Sequence, residues 1–91
     1  MNVEIADVTP ALVAEILDRN PLQPFTDGDW HAFNGCESAN PRIAYEGNLA
    51  IILDGSLIQV IDLDSEYCDF VDLDAEAVAA EADRFDRFAG R

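Results

Sequence analysis

The side chains best suited to chemistry are one histidine, His31, and two cysteines, Cys36 and Cys68. His31 stands five residues before Cys36 with Glu37 next to it, and Cys68 lies far along the chain. A zinc site needs three or four ligands in a compact cluster. A Cys–His nucleophile pair needs its two side chains within hydrogen-bond reach. This spacing supports neither. The expected roles are a packed or surface histidine on a short helix and two reduced thiols, because free Cys usually behaves as a small core residue. A secreted disulfide scaffold of this size normally carries more than two cysteines.

Carboxylates are the other candidates. Asp62-Leu63-Asp64-Ser65-Glu66 begins like a calcium loop, but Tyr67 stands where the invariant Gly belongs and Leu73 where the bidentate Glu belongs. Paired carboxylates can do acid–base work, as in glycosidases, but that needs a substrate cleft that a chain of 91 residues rarely builds. There is no phosphate-cradling loop, nucleophile elbow or dinucleotide fingerprint. The sequence therefore predicts a non-catalytic protein with no cofactor and no metal.

The charge is what sets this sequence apart. Nineteen Asp and Glu face five Arg, Lys is absent, and the formal net charge is -14. Self-repulsion at this level opposes compaction. Binding to DNA, RNA or an anionic membrane runs on Lys and Arg, so direct nucleic-acid and membrane binding are not expected and a macromolecular partner should be basic. Between Arg42 and Arg84 no basic residue interrupts Glu46, Asp54, Asp62, Asp64, Glu66, Asp69, Asp72, Asp74, Glu76, Glu81 and Asp83. On a strand, residues two apart share a face at about 6.6 to 6.8 Å. Phosphates along one nucleic-acid strand have a comparable spacing, since the rise is about 3.4 Å per nucleotide and the backbone also winds. Asp62/Asp64 and Asp72/Asp74 are the two expected ladders. Asp62, Asp64, Glu66, Asp69, Asp72, Asp74 and Glu76 are the candidate partner-binding residues.

These residues must be positioned by a small set of elements. About half the chain is apolar, 49%, which suffices for one modest core in a single acidic domain spanning 1–91. Residues 2–6 alternate and predict a short strand. Thr9-Pro10 reads as an N-cap and first helical residue. Leu12, Val13, Ile16 and Leu17 make one apolar helix face, Asn20-Pro21 stops it, and Pro21 to Pro24 is a turn or extended connector. Thr26 with Asp29 three residues on predicts a second short helix. It would carry a Phe25/Trp30 staple, Trp30 and Phe33 in the core, and Asn34-Gly35 as a C-cap. Strands are expected from Ile43 to Glu46, Leu49 to Leu53, Leu57 to Leu63 and near Tyr67 to Leu73, with Asp54-Gly55-Ser56 as a hairpin turn. A last helix runs from Asp74, its cap, to Ala89. Val78, Ala82, Phe85 and Ala89 form its stripe, Ala75 and Ala79 lie beside it, and Glu81–Arg84 and Asp83–Arg87 are spaced as surface pairs. The fold class is α+β: a three- or four-stranded antiparallel sheet with two or three helices packed on one face.

No run approaches a membrane span, and Met1 to Glu4 lacks the basic-then-apolar start of a signal peptide, so a cytoplasmic location is expected. A homodimer is expected if Trp30, Phe33 or Tyr67 is exposed.

In size, acidity and α+β pattern the chain resembles small phage-encoded inhibitors of bacterial defence, the anti-CRISPR proteins and DNA mimics. The resemblance is compositional across the whole chain and is carried by the run from Asp62 to Asp83 and by the lack of Lys. It implies an inhibitor inside a bacterial host cell whose carboxylates occupy a guide- or DNA-binding groove of a basic protein or ribonucleoprotein complex. The alternative is a small accessory domain of a halophile, where Asp-rich, Lys-free surfaces suit high salt; Asp outnumbers Glu here twelve to seven.

Overall fold

The computed structural model describes residues 3–26, 28–29, 41–67 and 69–88, with the backbone alone for 84–88. After a single 3-10 turn, Ile5–Asp7, come helix α1 (Pro10–Arg19) and strands β1 (Gln23–Pro24), β2 (Arg42–Glu46), β3 (Leu49–Asp54), β4 (Leu57–Asp62) and β5 (Phe70–Asp74). Helix α2 (Ala75–Phe88) follows β5 directly. The sheet is antiparallel throughout, in the order β1-β2-β3-β4-β5. The class is α+β as expected, with five described strands where three or four were anticipated. The addition is β1, whose two residues pair with Arg42 and Ile43. Pro24 gives the ladder no N–H, so this segment can only be an edge.

Both tight hairpins have two-residue loops, Gly47-Asn48 and Gly55-Ser56, and each begins with a glycine at positive φ, 56° and 64°. That conformation matches the right-handed twist of the flanking strands. The registers then fix which side chains share a face. Leu49, Ile51, Ile58 and Val60 point one way and cluster with Val8, Val13, Ala14 and Ile16, and with Val78 of α2. Both helices thus cover one face, as expected from their apolar stripes. Ala50 and Ile52 point the other way, with Ile43, Ile61, Phe25 and Leu63. β3 is central and apolar on both sides, which is why Leu49 to Ile52 read as a run rather than an alternation.

Helix α1 begins as expected, with the Thr9 hydroxyl accepting the Leu12 N–H and Pro10 at the first helical position. Asp74 caps α2 by accepting the Glu76 N–H. At Thr26, the backbone N–H and the hydroxyl both donate to the Asp29 carboxylate, the return half of a capping box. The remaining expectations for a short helix there, on Trp30, His31, Phe33, Asn34-Gly35 and Cys36, fall outside the described residues, as does Cys68.

Three local expectations are corrected. The strand expected at residues 2–6 is not found over the described residues 3–6: Asp7 and Val8 donate to Glu4 and Ile5 in a 3-10 turn, and Val3 pairs with a side chain, that of Asn48. The α2 stripe is rotated. Val78 is buried with Ala75 half-buried, whereas Ala79 and Ala82 are exposed. Alanine methyls bury too little area to hold a helix's rotation against a branched side chain such as Val78. Phe85, Ala89 and the side chains of Arg84 and Arg87 lie outside the described residues. Finally, β4 ends at Asp62, where the chain turns and Ser65 N–H donates to Asp62 C=O. No described helix is long and apolar enough to cross a membrane.

Candidate interaction surface: the acidic β5 edge

The registers place the seven candidate carboxylates in three different settings. Asp62 and Asp64 do not form a ladder, because the strand has ended. Asp62 is half-buried on the helix side, where its Oδ1 accepts from Asn48 Nδ2 at 2.9 Å and from the Asp64 N–H at 3.0 Å. It holds the turn together. Asp64, Glu66 and Asp69 are exposed in the connection between β4 and β5, around Tyr67, which is 83% exposed. Asp72 and Asp74 form the ladder expected of them. Two apart on β5, they stand on the face away from the helices, and both are exposed. Glu76, exposed on the first turn of α2, follows.

Cross-strand pairing adds residues that the sequence reading left out. On the face of Asp72 and Asp74, the rows across the sheet are Asp54–Leu57–Asp74, Ile52–Gln59–Asp72 and Ala50–Ile61–Phe70. Leu57 and Phe70 are 41% and 46% exposed, so apolar contacts stand among the carboxylates. Gln59 Nε2 donates to Asp72 Oδ1 at 3.4 Å. The signal was present in Phe70-Val71-Asp72-Leu73-Asp74, where period-two alternation puts Phe70 on the side of the two acids.

The described cations sit elsewhere. Arg19 pairs with Glu15 and Glu46, and Arg42 donates to the Leu22 carbonyl. Arg42 is on β2, three strands from β5, or about 14 Å at the usual strand spacing. Among the described residues, none of Asp64, Glu66, Asp69, Asp72, Asp74 and Glu76 makes an ion pair. The edge is therefore a run of exposed negative charge carried by the β4–β5 connection, by β5 and by the start of α2. Among the described residues no group of three or more His, Cys, Asp or Glu is placed to hold a metal ion.

A shallow groove near the other edge is lined by Arg19, Asn20, Gln23, Thr26, Asp29 and Tyr45. Its polar groups are already engaged with one another. Asn20 and Arg19 bind Glu46, and the Tyr45 hydroxyl donates to Asp29 Oδ1 at 2.7 Å. Partial burial, then the Asp29 hydrogen bond and charge, push the Tyr45 phenol up to about 12. The carboxylates of the acidic edge, by contrast, pair with no described cation. Comparison with protein-family models, with curated proteins and with solved structures finds no match to this chain.

Proposed function

We propose that this chain is a non-catalytic binding protein whose β5 edge engages a basic, nucleic-acid-binding surface of a protein or ribonucleoprotein. It acts there as a nucleic-acid mimic, in the manner of an anti-CRISPR inhibitor. One observation carries this reading: exposed carboxylates on and around β5 that no described cation neutralises, with Arg19 and Arg42 both engaged elsewhere. Fixed charge on a folded scaffold steers association with a basic groove and makes it sensitive to salt.

The test uses a tagged protein and nuclease-treated bacterial lysate at low and moderate salt, beside the variant Asp64→Asn, Asp72→Asn, Asp74→Asn, Glu76→Gln. Asn at position 74 keeps a good helix cap, and Asp62 is left intact because it holds a turn. The expected result is recovery of one nucleic-acid-binding complex that DNA or RNA displaces and that the variant does not retain. Equal recovery by the variant would refute the reading.

A second reading, the accessory domain of a halophile, is favoured by a separate observation: Glu15 and Asp18 of α1, outside the β5 edge, are also exposed. It expects loss of structure in dilute buffer.

A further inference from the structure

The two edges of the sheet differ. β1 offers two residues, one of them Pro24, and such short proline-bearing edges resist pairing. β5 offers five residues, without Pro, and among the described residues nothing pairs with its outer side.

Which backbone groups face outward follows from the hydrogen bonds that bracket the β4–β5 ladder. Asp62 N–H donates to Asp69 C=O at 2.8 Å, and Ala75 N–H donates to Ser56 C=O at 2.9 Å. In an antiparallel pair, hydrogen-bonded and non-bonded positions alternate. Val60/Val71 and Ile58/Leu73 are therefore the bonded pairs, and Phe70, Asp72 and Asp74 turn their backbone groups away from β4. The Asp74 carbonyl enters the start of α2. What remains is a row of donors and acceptors: the N–H and C=O of Phe70 and Asp72, and the N–H of Asp74. These same three residues put their exposed side chains on the face of the sheet away from the helices.

We propose that the β5 edge takes up an extended segment of the partner as an additional strand, with Lys or Arg at alternate positions. This rests on the acidic-edge reading and gives the mode of binding. Strand addition takes affinity from main-chain hydrogen bonds and specificity from alternate side chains. Charge decides the occupant. A second copy of this chain would add its own acidic strand to an edge that already carries Asp72 and Asp74, and like charges across a strand pair oppose pairing. A strand with cations two residues apart brings them to about 4.5 to 5.5 Å, Cβ to Cβ, from Asp72 and Asp74. The next position on the same face meets exposed Phe70 and calls for an apolar side chain. The intervening residues extend the helix-side face beside half-buried Val71 and Leu73.

The probe is a capped synthetic peptide containing Lys-Val-Lys-Val-Leu, beside an isomer of the same composition containing Lys-Lys-Val-Val-Leu. Amide hydrogen exchange on the unmodified protein is read residue by residue. The alternating peptide should slow exchange at Phe70, Asp72 and Asp74 and leave Val71 and Leu73, already bonded to β4, unchanged. The isomer should do so weakly. Two variants separate backbone from charge. Asp72→Asn loses the charge alone; Asp72→Pro loses the charge and the outward N–H while leaving the β4 ladder intact. The proline variant should bind the alternating peptide about tenfold more weakly than the asparagine variant, the effect of one lost hydrogen bond with its acceptor left unpaired.

Equal affinity of the two variants, both weaker than the unmodified protein, would overturn strand addition and leave the acidic edge standing. Unchanged exchange at Phe70, Asp72 and Asp74 on the unmodified protein at peptide saturation would overturn it independently of how the variants fold. Full peptide affinity in Asp72→Asn, together with unchanged partner recovery by the fourfold variant, would sink both readings.

Discussion

Asn48 is the one buried polar side chain among the described residues, 7% exposed. Its amide accepts from Val3 N–H and donates to Val3 C=O and to Asp62 Oδ1. A single side chain thus does for the N-terminal segment what a neighbouring strand would do, and fixes the turn after β4. Asn48→Ala should cost about 3 kcal/mol, at roughly 1 kcal/mol for each lost hydrogen bond, because it also strands the Val3 backbone groups. Asn48→Asp should cost more at neutral pH, since it removes the donor and sets a carboxylate against Asp62; the gap between the two variants should narrow in acid. Urea denaturation at two pH values reads this, and an alanine variant within about 0.5 kcal/mol of the parent, the usual scatter of surface substitutions, would refute the role. Tyr45 gives a second signal at this scale. Its phenol is raised from 10.0 to about 12, so the folded state keeps the proton over a window in which the unfolded chain has lost it. That contribution to stability is complete below pH about 10 and is lost as pH rises through about 12. Because the chain has no Lys, few other groups titrate there. Tyr45→Phe should flatten the fall in stability across this window, measured by denaturation in steps of pH. Neither contact was legible in the sequence. Asn48 falls between two expected strands with nothing to mark its partners, and Tyr45 meets Asp29 across sixteen positions of chain that no periodicity links.

At the scale of elements, the local signals that held are those in which chemistry and geometry coincide. The Thr9 cap closes on Leu12 N–H, and Thr9→Ala should cost about 1 kcal/mol. Gly55 sits at φ 64° with nothing within 4 Å of where a Cβ would stand. Gly55→Ala should therefore cost about 1 kcal/mol from the backbone alone. Thermal melts check both, and an alanine at position 55 that left the midpoint unmoved would mean the loop can change its turn type. The meander from Arg42 to Asp74 was legible for the same reason: Asp-Gly between apolar runs leaves few alternatives. The parts that were not legible depend on tertiary context. β1 exists because Arg42 and Ile43 offer an edge to a proline-bounded segment, and residues 3–6 form no strand because Asn48 takes the place of a pairing partner at Val3. Of the candidate site, Asp72 and Asp74 were placed correctly because a strand alternates. Asp62 was misplaced because an acid at the end of a strand looks the same in sequence whether it faces water or holds a turn.

The whole molecule must fold with a net charge of -14 and a radius of gyration of 12.7 Å. The Debye length is about 10 Å at 0.1 M salt and about 30 Å at 0.01 M. In ordinary buffer, charges on opposite sides scarcely feel one another; in dilute buffer all of them do. The melting temperature should therefore climb as salt rises from about 0.01 M and level off once the Debye length falls well below the molecular radius. The fourfold variant, Asp64→Asn, Asp72→Asn, Asp74→Asn and Glu76→Gln, tells what the edge is for. If those carboxylates serve a partner, the fold tolerates them at a cost, as functional surfaces commonly do. Removing four of the fourteen net negative charges should then raise the melting temperature in dilute buffer, shrink its salt dependence and abolish binding. If the acidity is an adaptation to brine, the parent should lack a cooperative melt in dilute buffer, and the variant should lose stability in molar salt. Scanning calorimetry of both proteins across the salt series separates the two. A variant less stable than its parent at every salt concentration would show that the β5 edge is part of what holds the fold together, and would remove the charge argument from which its function is inferred.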